Sequence, residues 1–203
     1  MNLHAFIDLL YSASPFIYDL QLNFFNGNHF QKLKKKLNKI PTENILEIGC
    51  GTAPILKVFR PKSYVGIDID EKFIKLAQKI YKNTNYSFSV GDARNIDAKT
   101  NFDMILFSHT THHLSDNDIK KVIDRIKKIS FSYLVIYDGR PISVFAPLLL
   151  RLDYNAAKFR RAEEFIPLFE KDFKIEHIET FRSNRPFYEY PLLILSKKKI
   201  RTK

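Results

Sequence analysis

The stretch ILEIGCGTA, residues 45–53, decides the fold of this chain. It begins as a short, mostly apolar run typical of a buried strand and continues into a glycine turn. Gly49 and Gly51 allow backbone angles, and a close approach to a ligand, that any side chain would block. Pro54 follows, and proline suits the first turn of a helix, where a missing N–H costs little. We therefore predict a strand, a tight turn beside a small ligand, and a helix over residues 54–59.

The spacing of the glycines separates two kinds of nucleotide site. A dinucleotide fingerprint requires G-x-G-x-x-G, and its third glycine would fall on Pro54. The run instead resembles the E/D-x-G-x-G-x-G turn of class I methyltransferases, enzymes that use S-adenosylmethionine, with Ala53 in place of the last glycine. The resemblance implies that the cofactor site includes Glu47, Gly49, Cys50, Gly51 and, farther along the chain, Ser108.

A second apolar strand, YVGIDID at residues 64–70, also ends on carboxylates. The carboxyl ends of neighbouring parallel strands share one crevice, so we expect Asp68 beside the glycine turn. Its carboxylate would accept hydrogen bonds from both ribose hydroxyls of the cofactor, with Ile69 against the adenine. The alternative is a surface aspartate that caps a helix, a role that Asp70 fits better.

Two further segments continue the resemblance. FSVGDARNI, residues 88–96, is a short strand followed by Asp92, which is similar to the family's adenine-recognising carboxylate. The Ala93 N–H is expected to support the edge of the ring, although glycine and aspartate together are also an ordinary turn signal. FDMILFSHTTHHLSD, residues 102–116, resembles the family's fourth motif through its His-His-Leu at 112–114.

Four matches in this order resemble a class I S-adenosylmethionine-dependent methyltransferase, and among its members the bacterial small-molecule enzymes. YLVIYDGRP, residues 133–141, looks like the fifth strand, and residues 173–181 and 192–195 look like the sixth and seventh. The resemblance implies an α/β fold, a Rossmann-like seven-stranded sheet with helices on both faces and the last strand antiparallel.

Length and composition agree with a single domain, because 203 residues that are 45% hydrophobic can bury a full core. The organisation that we expect is a helical amino-terminal cap over residues 1–40, a cofactor-binding core over 41–140, an acceptor-side region with the last strands over 141–196, and a basic tail over 197–203.

Several features favour a cytoplasmic protein. The apolar run at residues 5–11 is interrupted by Asp8 and lacks a basic start, which argues against a signal peptide. The longest apolar run, residues 144–150, is too short to cross a bilayer. Cys50 is the single cysteine, so we expect no internal disulfide.

The net charge of +11 is concentrated in two stretches. Residues 31–39 carry five lysines, and residues 196–203 carry four lysines and one arginine, without an acidic residue in either. A solvated helix face and a frayed tail explain both. The alternatives are contact with nucleic acid or with an anionic membrane surface.

The regions expected around the acceptor are rich in apolar residues. Residues 3–10 and 15–25 have helical spacing and predict short helices over the cofactor cleft, unless their aromatic residues simply belong to the core. Residues 141–155 predict either a hydrophobic lid for a lipid or aromatic acceptor, or a core helix. Further helices are expected over residues 30–37, 71–81 and 117–129, the last with Asp116 as its N-cap.

The chemistry requires alignment, exclusion of water and, for a hydroxyl or acidic carbon, removal of a proton. Histidine suits proton removal near neutral pH. The candidates for general base are His109, at a strand end that faces the crevice, and His112, which matches the family's motif; His113 would cap or pack the next helix. Asp138 would orient that histidine or bind the acceptor. A structural histidine is the alternative, and no metal site is predicted.

Three functions remain open from the sequence. The leading one is methylation of a small metabolite, lipid or sugar on oxygen, carbon or nitrogen. The second is RNA methylation, which the basic stretches favour, although residues 108–111 read SHTT and lack the expected base-clamp pattern. The third is a non-catalytic subunit that binds S-adenosylmethionine.

Overall fold

The computed structural model describes residues 24–97, 100–143 and 158–198. The predicted helix over residues 3–10, nearly all of the one over 15–25, most of the expected lid and the end of the basic tail lie outside these ranges.

The described residues form one eight-stranded sheet in the order β3-β2-β1-β4-β5-β8-β6, with β7 paired to β8 on its other side. The strands are β1 Asn44–Ile48, β2 Ser63–Asp68, β3 Tyr86–Val90, β4 Asn101–Ser108, β5 Ser130–Tyr137, β6 Arg140–Pro141, β7 Phe173–Arg182 and β8 Tyr188–Lys197. The first five are parallel, and β8 runs antiparallel to β5 and β7. The seven predicted strands are therefore present, and β6 adds a two-residue strand that pairs with the start of β8.

The strand order reverses between β1 and β4, which pair with Ile48 opposite Phe107. In open α/β sheets, ligands bind at such a switch point, outside the carboxyl ends of the strands. On the other side of β1, the pairing of β2 with β3 places Asp68 opposite Val90. The glycine turn and both predicted cofactor carboxylates thus lie along one edge of the sheet.

The helices that lie entirely within the described residues are α1 His29–Lys36, α2 Glu71–Ile80, α3 Asp116–Ile126 and α4 Ala162–Phe169, and residues 24–26 are also helical. Asp70 caps α2 by accepting a hydrogen bond from the Lys72 N–H at 2.7 Å, as the sequence suggested. The cap of α3 is Ser115 and not the expected Asp116, because the Ser115 hydroxyl accepts from the Asp118 N–H.

The helix expected after the glycine turn is only a 3-10 turn over Pro54–Lys57. Ala53 precedes it in the left-handed conformation, and Pro61 follows closely, where the chain turns into β2. A proline cannot donate the backbone hydrogen bond that a longer helix would require. The turn adds Ile55 and Leu56 to the core, and Phe59 follows them before the next strand.

Two apolar layers enclose the sheet. One contains α1 and the aromatic residues Tyr64, Tyr137 and Tyr190. The other contains the buried faces of α3 and α4. No helix among the described residues is long and apolar enough to span a bilayer.

Three of the four lysines of α1 contact other parts of the domain. Lys32 Nζ donates to the carbonyl of Arg182, and Lys34 Nζ donates to the carbonyl of Val58, each at 2.8 Å. Lys36 forms an ion pair with Glu179 at 2.6 Å. This basic stretch therefore makes specific contacts within the chain.

Candidate active site

The glycine turn has two glycines in the left-handed region, and they face different surroundings. A Cβ on Gly49, at φ 72°, would lie 2.3 Å from Thr110 Cγ2, so the neighbouring loop fills that space. A Cβ on Gly51, at φ 53°, would meet nothing within 4 Å. Gly51 therefore presents its backbone to open space, which a ligand can approach closely.

Ala53, which replaces the family's last glycine, also has a left-handed backbone, at φ 57°. Glycine adopts this conformation without a steric penalty, and alanine adopts it at a cost of about 1 kcal/mol. Its methyl group is fully buried. The turn thus accommodates alanine at this position.

Asp68 holds the glycine turn from the end of β2. Its Oδ2 accepts a hydrogen bond from the Gly51 N–H at 2.7 Å, and its Oδ1 accepts from the Asp70 N–H at 2.9 Å. Burial raises the pKa of Asp68, while these two bonds act in the opposite direction. A carboxylate oxygen can accept a second hydrogen bond, and the adjacent Ile69 is 70% exposed.

Asp92 lies at the end of β3, where its carboxylate is bonded to Arg94. The Arg94 Nε lies 2.9 Å from both carboxylate oxygens, and the Arg94 N–H donates to Oδ1 at 2.8 Å. These bonds lower the pKa of Asp92. Asp92 caps a 3-10 turn that begins at Ala93, and it borders an open groove of about 550 Å³ that includes Lys121 and Arg125.

Glu47 and Cys50 lie beneath the turn, in the core. The Tyr64 hydroxyl donates a hydrogen bond to Glu47 Oε2. Burial raises the pKa of Glu47 to about 8, against the effect of this bond and with a smaller contribution from Asp68. Burial also raises the pKa of the Cys50 thiol. Both shifts favour the neutral forms of these side chains, which lie on the buried side of the turn.

Thr110 joins the loop after β4 to the glycine turn. Its hydroxyl lies 3.0–3.1 Å from the carbonyl oxygens of Ile48, Gly49 and Ser108. Ser108 itself is buried at the end of β4. The contact between Thr110 and Gly49 spans 61 positions, and no local pattern in the sequence indicates it.

His109 has a strained backbone at the carboxyl end of β4. Its φ is 54°, which is uncommon for a residue other than glycine and characteristic of functional sites. Its N–H donates to the Tyr137 carbonyl at 2.9 Å. A Cβ on Gly139 would lie 2.9 Å from His109 Nδ1 and Cε1, so the ring packs directly on the Gly139 backbone.

His112 is buried and bonded to Asp138, which follows β5. His112 Nδ1 lies 2.6 Å from Asp138 Oδ1, and the His112 N–H donates to Oδ2 at 2.9 Å. The Thr111 hydroxyl and the Gly139 N–H also donate to this carboxylate. Burial acts to raise the pKa of Asp138, but the charge and hydrogen bond of His112 bring it down to about 2. His113, the next residue, is exposed.

His29 and Tyr137 also contact His109, although no sequence motif marks them as site residues. His29 Nδ1 lies 2.5 Å from Tyr137 Oη and 3.4 Å from His109 Nε2. These contacts connect residues 108 and 80 positions apart. The one available signal was a histidine at the start of an otherwise apolar helix face. Within the described ranges, no group of histidine, cysteine or acidic residues is arranged to hold a metal ion.

Comparisons with known proteins agree with this geometry. Residues 45–130, which include all the predicted cofactor residues, match the family described as "Methyltransferase domain". No curated protein sequence matches the chain.

Several solved structures share the fold. The N-methyltransferase NodS from Bradyrhizobium japonicum WM9, in complex with S-adenosyl-L-homocysteine, has a TM-score of 0.66 at 18% identity, over 84% of this chain and 86% of that one. The magnesium protoporphyrin IX methyltransferase from Synechocystis PCC 6803, with bound S-adenosylhomocysteine, has a TM-score of 0.60 at 17% identity, over 84% and 82%. The PH0226 protein from Pyrococcus horikoshii OT3 has a TM-score of 0.65 at 18% identity, over 89% and 92%.

The family match covers the glycine turn, Asp68 at the end of β2, Asp92 after β3, and the loop after β4. Two of the solved structures that share the fold contain S-adenosylhomocysteine. Residues 45–130 therefore belong to the methyltransferase domain family, within a fold that methyltransferase structures share.

Proposed function

We propose that this enzyme methylates a small-molecule acceptor, a metabolite, lipid or sugar, and that His109 removes the proton from the acceptor atom. The observation that carries the proposal is the left-handed backbone of His109 at the end of β4, beside the switch point. A strained histidine costs free energy that the surrounding structure has to supply, and such strain clusters at functional sites.

The residues on the open side of the turn suit the cofactor. Gly51 leaves room for close approach, Asp68 retains acceptor capacity for two ribose hydroxyls, and the exposed Ile69 offers an apolar surface for adenine. Asp92 and the Ala93 N–H would recognise the adenine edge, with Arg94 holding the carboxylate in place. When bound, S-adenosylmethionine supplies an activated methyl group.

The protein's remaining task is to position the acceptor and take up its proton. His109 fits this role better than His112, because His112 is 4% exposed and bonded to Asp138. Asp138 accepts four hydrogen bonds from the chain, which suits a residue that fixes the loop and not one that binds acceptor. We assign His112 and Asp138 the role of holding the loop that carries His109.

Two observations favour a small molecule over RNA. Lysines 32, 34 and 36 bind groups of the chain itself, so this basic stretch has a structural use. The magnesium protoporphyrin IX methyltransferase that shares the fold is named for a small-molecule acceptor.

An acceptor screen tests the proposal. Production of S-adenosylhomocysteine is measured with panels of small hydroxyl, amine and acidic-carbon compounds, and with total RNA as a separate arm. We expect turnover with a small molecule and a loss of about 100-fold or more in His109→Gln, the range for general base catalysis. His177→Gln, a change at an exposed histidine on β7, is the matched control and should retain activity. Turnover with RNA alone, or full activity of His109→Gln, would contradict the proposal.

A further inference from the structure

His29 lies in an aromatic cluster that surrounds the carboxyl end of β5. It is 3% exposed, and its ring stacks at 18° with Tyr137 and Tyr190, with centroids 5.9 and 5.3 Å away. A polar ring in such surroundings costs free energy unless its nitrogens are hydrogen-bonded. The partners of those nitrogens therefore indicate what the residue does.

One nitrogen of His29 faces two partners. Nδ1 is 2.5 Å from Tyr137 Oη and 3.4 Å from His109 Nε2. A ring nitrogen of a neutral imidazole has either one hydrogen or one lone pair. Nδ1 can accept from the tyrosine hydroxyl, or from His109 when that ring has a hydrogen on Nε2, but it cannot accept fully from both.

We infer that His29 is a positioning residue for the methyl transfer reaction, and that it accepts a hydrogen bond from His109 Nε2 when His109 takes up the acceptor's proton. This inference rests on the proposed role of His109. As the acceptor atom bonds to the methyl carbon, its own bond to hydrogen breaks and the proton moves to His109. The electron pair of the methyl–sulfur bond stays on sulfur, which becomes neutral. The positive charge is then on the imidazolium of His109, so charge and atoms are conserved.

The surroundings keep His29 a neutral acceptor. Burial, and then the nearby His109, lower the pKa of His29 well below its usual value. Other titratable groups nearby are Tyr137, Asp138, Tyr188 and Tyr190, and burial raises the pKa of Tyr137 and Tyr190. The charge of His109 lowers the pKa of Asp138, so this carboxylate in turn favours the imidazolium.

The test follows the titration of His109 by NMR in the full chain with ¹³C-labelled histidine, with the signal assigned from His109→Gln. In His29→Leu the charged ring loses its acceptor, so the midpoint should move to lower pH by about one unit. In Tyr137→Phe the competing donor is gone, so the midpoint should move to higher pH. His29→Gln keeps a side-chain oxygen as acceptor and should restore a midpoint near that of the wild type.

His177→Gln, a change at an exposed histidine on β7, is the control and should leave the midpoint unchanged. Circular dichroism and binding of S-adenosylhomocysteine establish that each variant is folded. A purely structural His29 would give no opposite shifts, and unchanged midpoints in folded His29→Leu and Tyr137→Phe would overturn the inference. The NMR readout requires no acceptor, so failure of His109 as the base would appear separately, as retained activity in His109→Gln.

Discussion

At the scale of single residues, the site depends on backbone conformations and surroundings that only certain residue types fit. Gly49 and Gly51 have similar left-handed angles, yet one faces the Thr110 side chain and the other faces open space. Glu47 and Asp68 are both acidic, yet one is buried beneath the turn and the other holds it from the cleft side. Chemically similar residues thus have different functions in this site, and the surroundings of each residue decide its function.

Substitution of the two glycines by alanine should reduce stability and ligand binding to different extents. Gly49→Ala introduces both backbone strain and overlap with Thr110, so we expect a loss of about 3 kcal/mol in the free energy of unfolding. Gly51→Ala introduces strain only, so the loss should be about 1 kcal/mol, while affinity for S-adenosylhomocysteine falls at least tenfold because the new methyl group occupies the open side. Urea unfolding and calorimetric titration measure the two effects. Equal binding by Gly51→Ala and wild type would contradict the proposal that the open side of Gly51 faces the cofactor.

Glu47 predicts a pH dependence of stability. Its pKa is about 8 in the folded protein against 4.5 ordinarily, so between these values the folded protein binds a proton that the unfolded chain has released. This contribution is complete below pH 4.5 and is lost as the pH rises through 8, with a slope of up to about 1.4 kcal/mol per pH unit. Glu47→Gln should remove this slope.

Urea unfolding of wild type and Glu47→Gln at pH 5, 6.5 and 8 measures the difference. Glu43→Gln, a change at an exposed glutamate that pairs with Lys62, should keep the slope of the wild type. If Glu47→Gln also keeps that slope, then Glu47 is ionised in the folded protein.

At the scale of elements, the loop after β4 is fixed by contacts from three directions. Thr110 ties it to the glycine turn, and Asp138 ties it to β5. From the third direction, Arg160 donates to the carbonyls of Thr111 and Leu114 and forms an ion pair with Asp116 at 2.6 Å. Lys158 N–H also donates to the His112 carbonyl.

Arg160 is therefore expected to matter far more than its neighbour Arg161. The Arg160 side chain is fully buried, so Arg160→Ala leaves two carbonyls without their donors and should cost about 3 kcal/mol. Arg161 is exposed, and Arg161→Ala should change stability by less than about 0.5 kcal/mol. Thermal and urea unfolding compare the two, and similar losses would show that Arg160 does not fix the loop.

At the scale of the whole molecule, the sequence predicted the sheet better than the site. Alternating strands and helices, and the glycine turn, indicated the fold because these signals are local. The short turn after Ala53 was missed because a helix start does not determine where the helix ends. The pairing of His29 with Tyr137, and of Arg160 with Thr111, joins distant positions, and such contacts depend on how elements pack and not on periodicity.

The assembly of the site from β1, β2, β3 and β4 is tested most directly by calorimetric titration with S-adenosylhomocysteine on wild type, Asp68→Ala and Asp70→Ala. Asp68 holds the turn and offers acceptors for the ribose, whereas Asp70 caps α2. We predict binding by the wild type, at least tenfold weaker binding by Asp68→Ala, a loss of about 1.4 kcal/mol or more, and near-normal binding by Asp70→Ala. Equal affinity of wild type and Asp68→Ala, or no binding by a folded wild type, would contradict the site described.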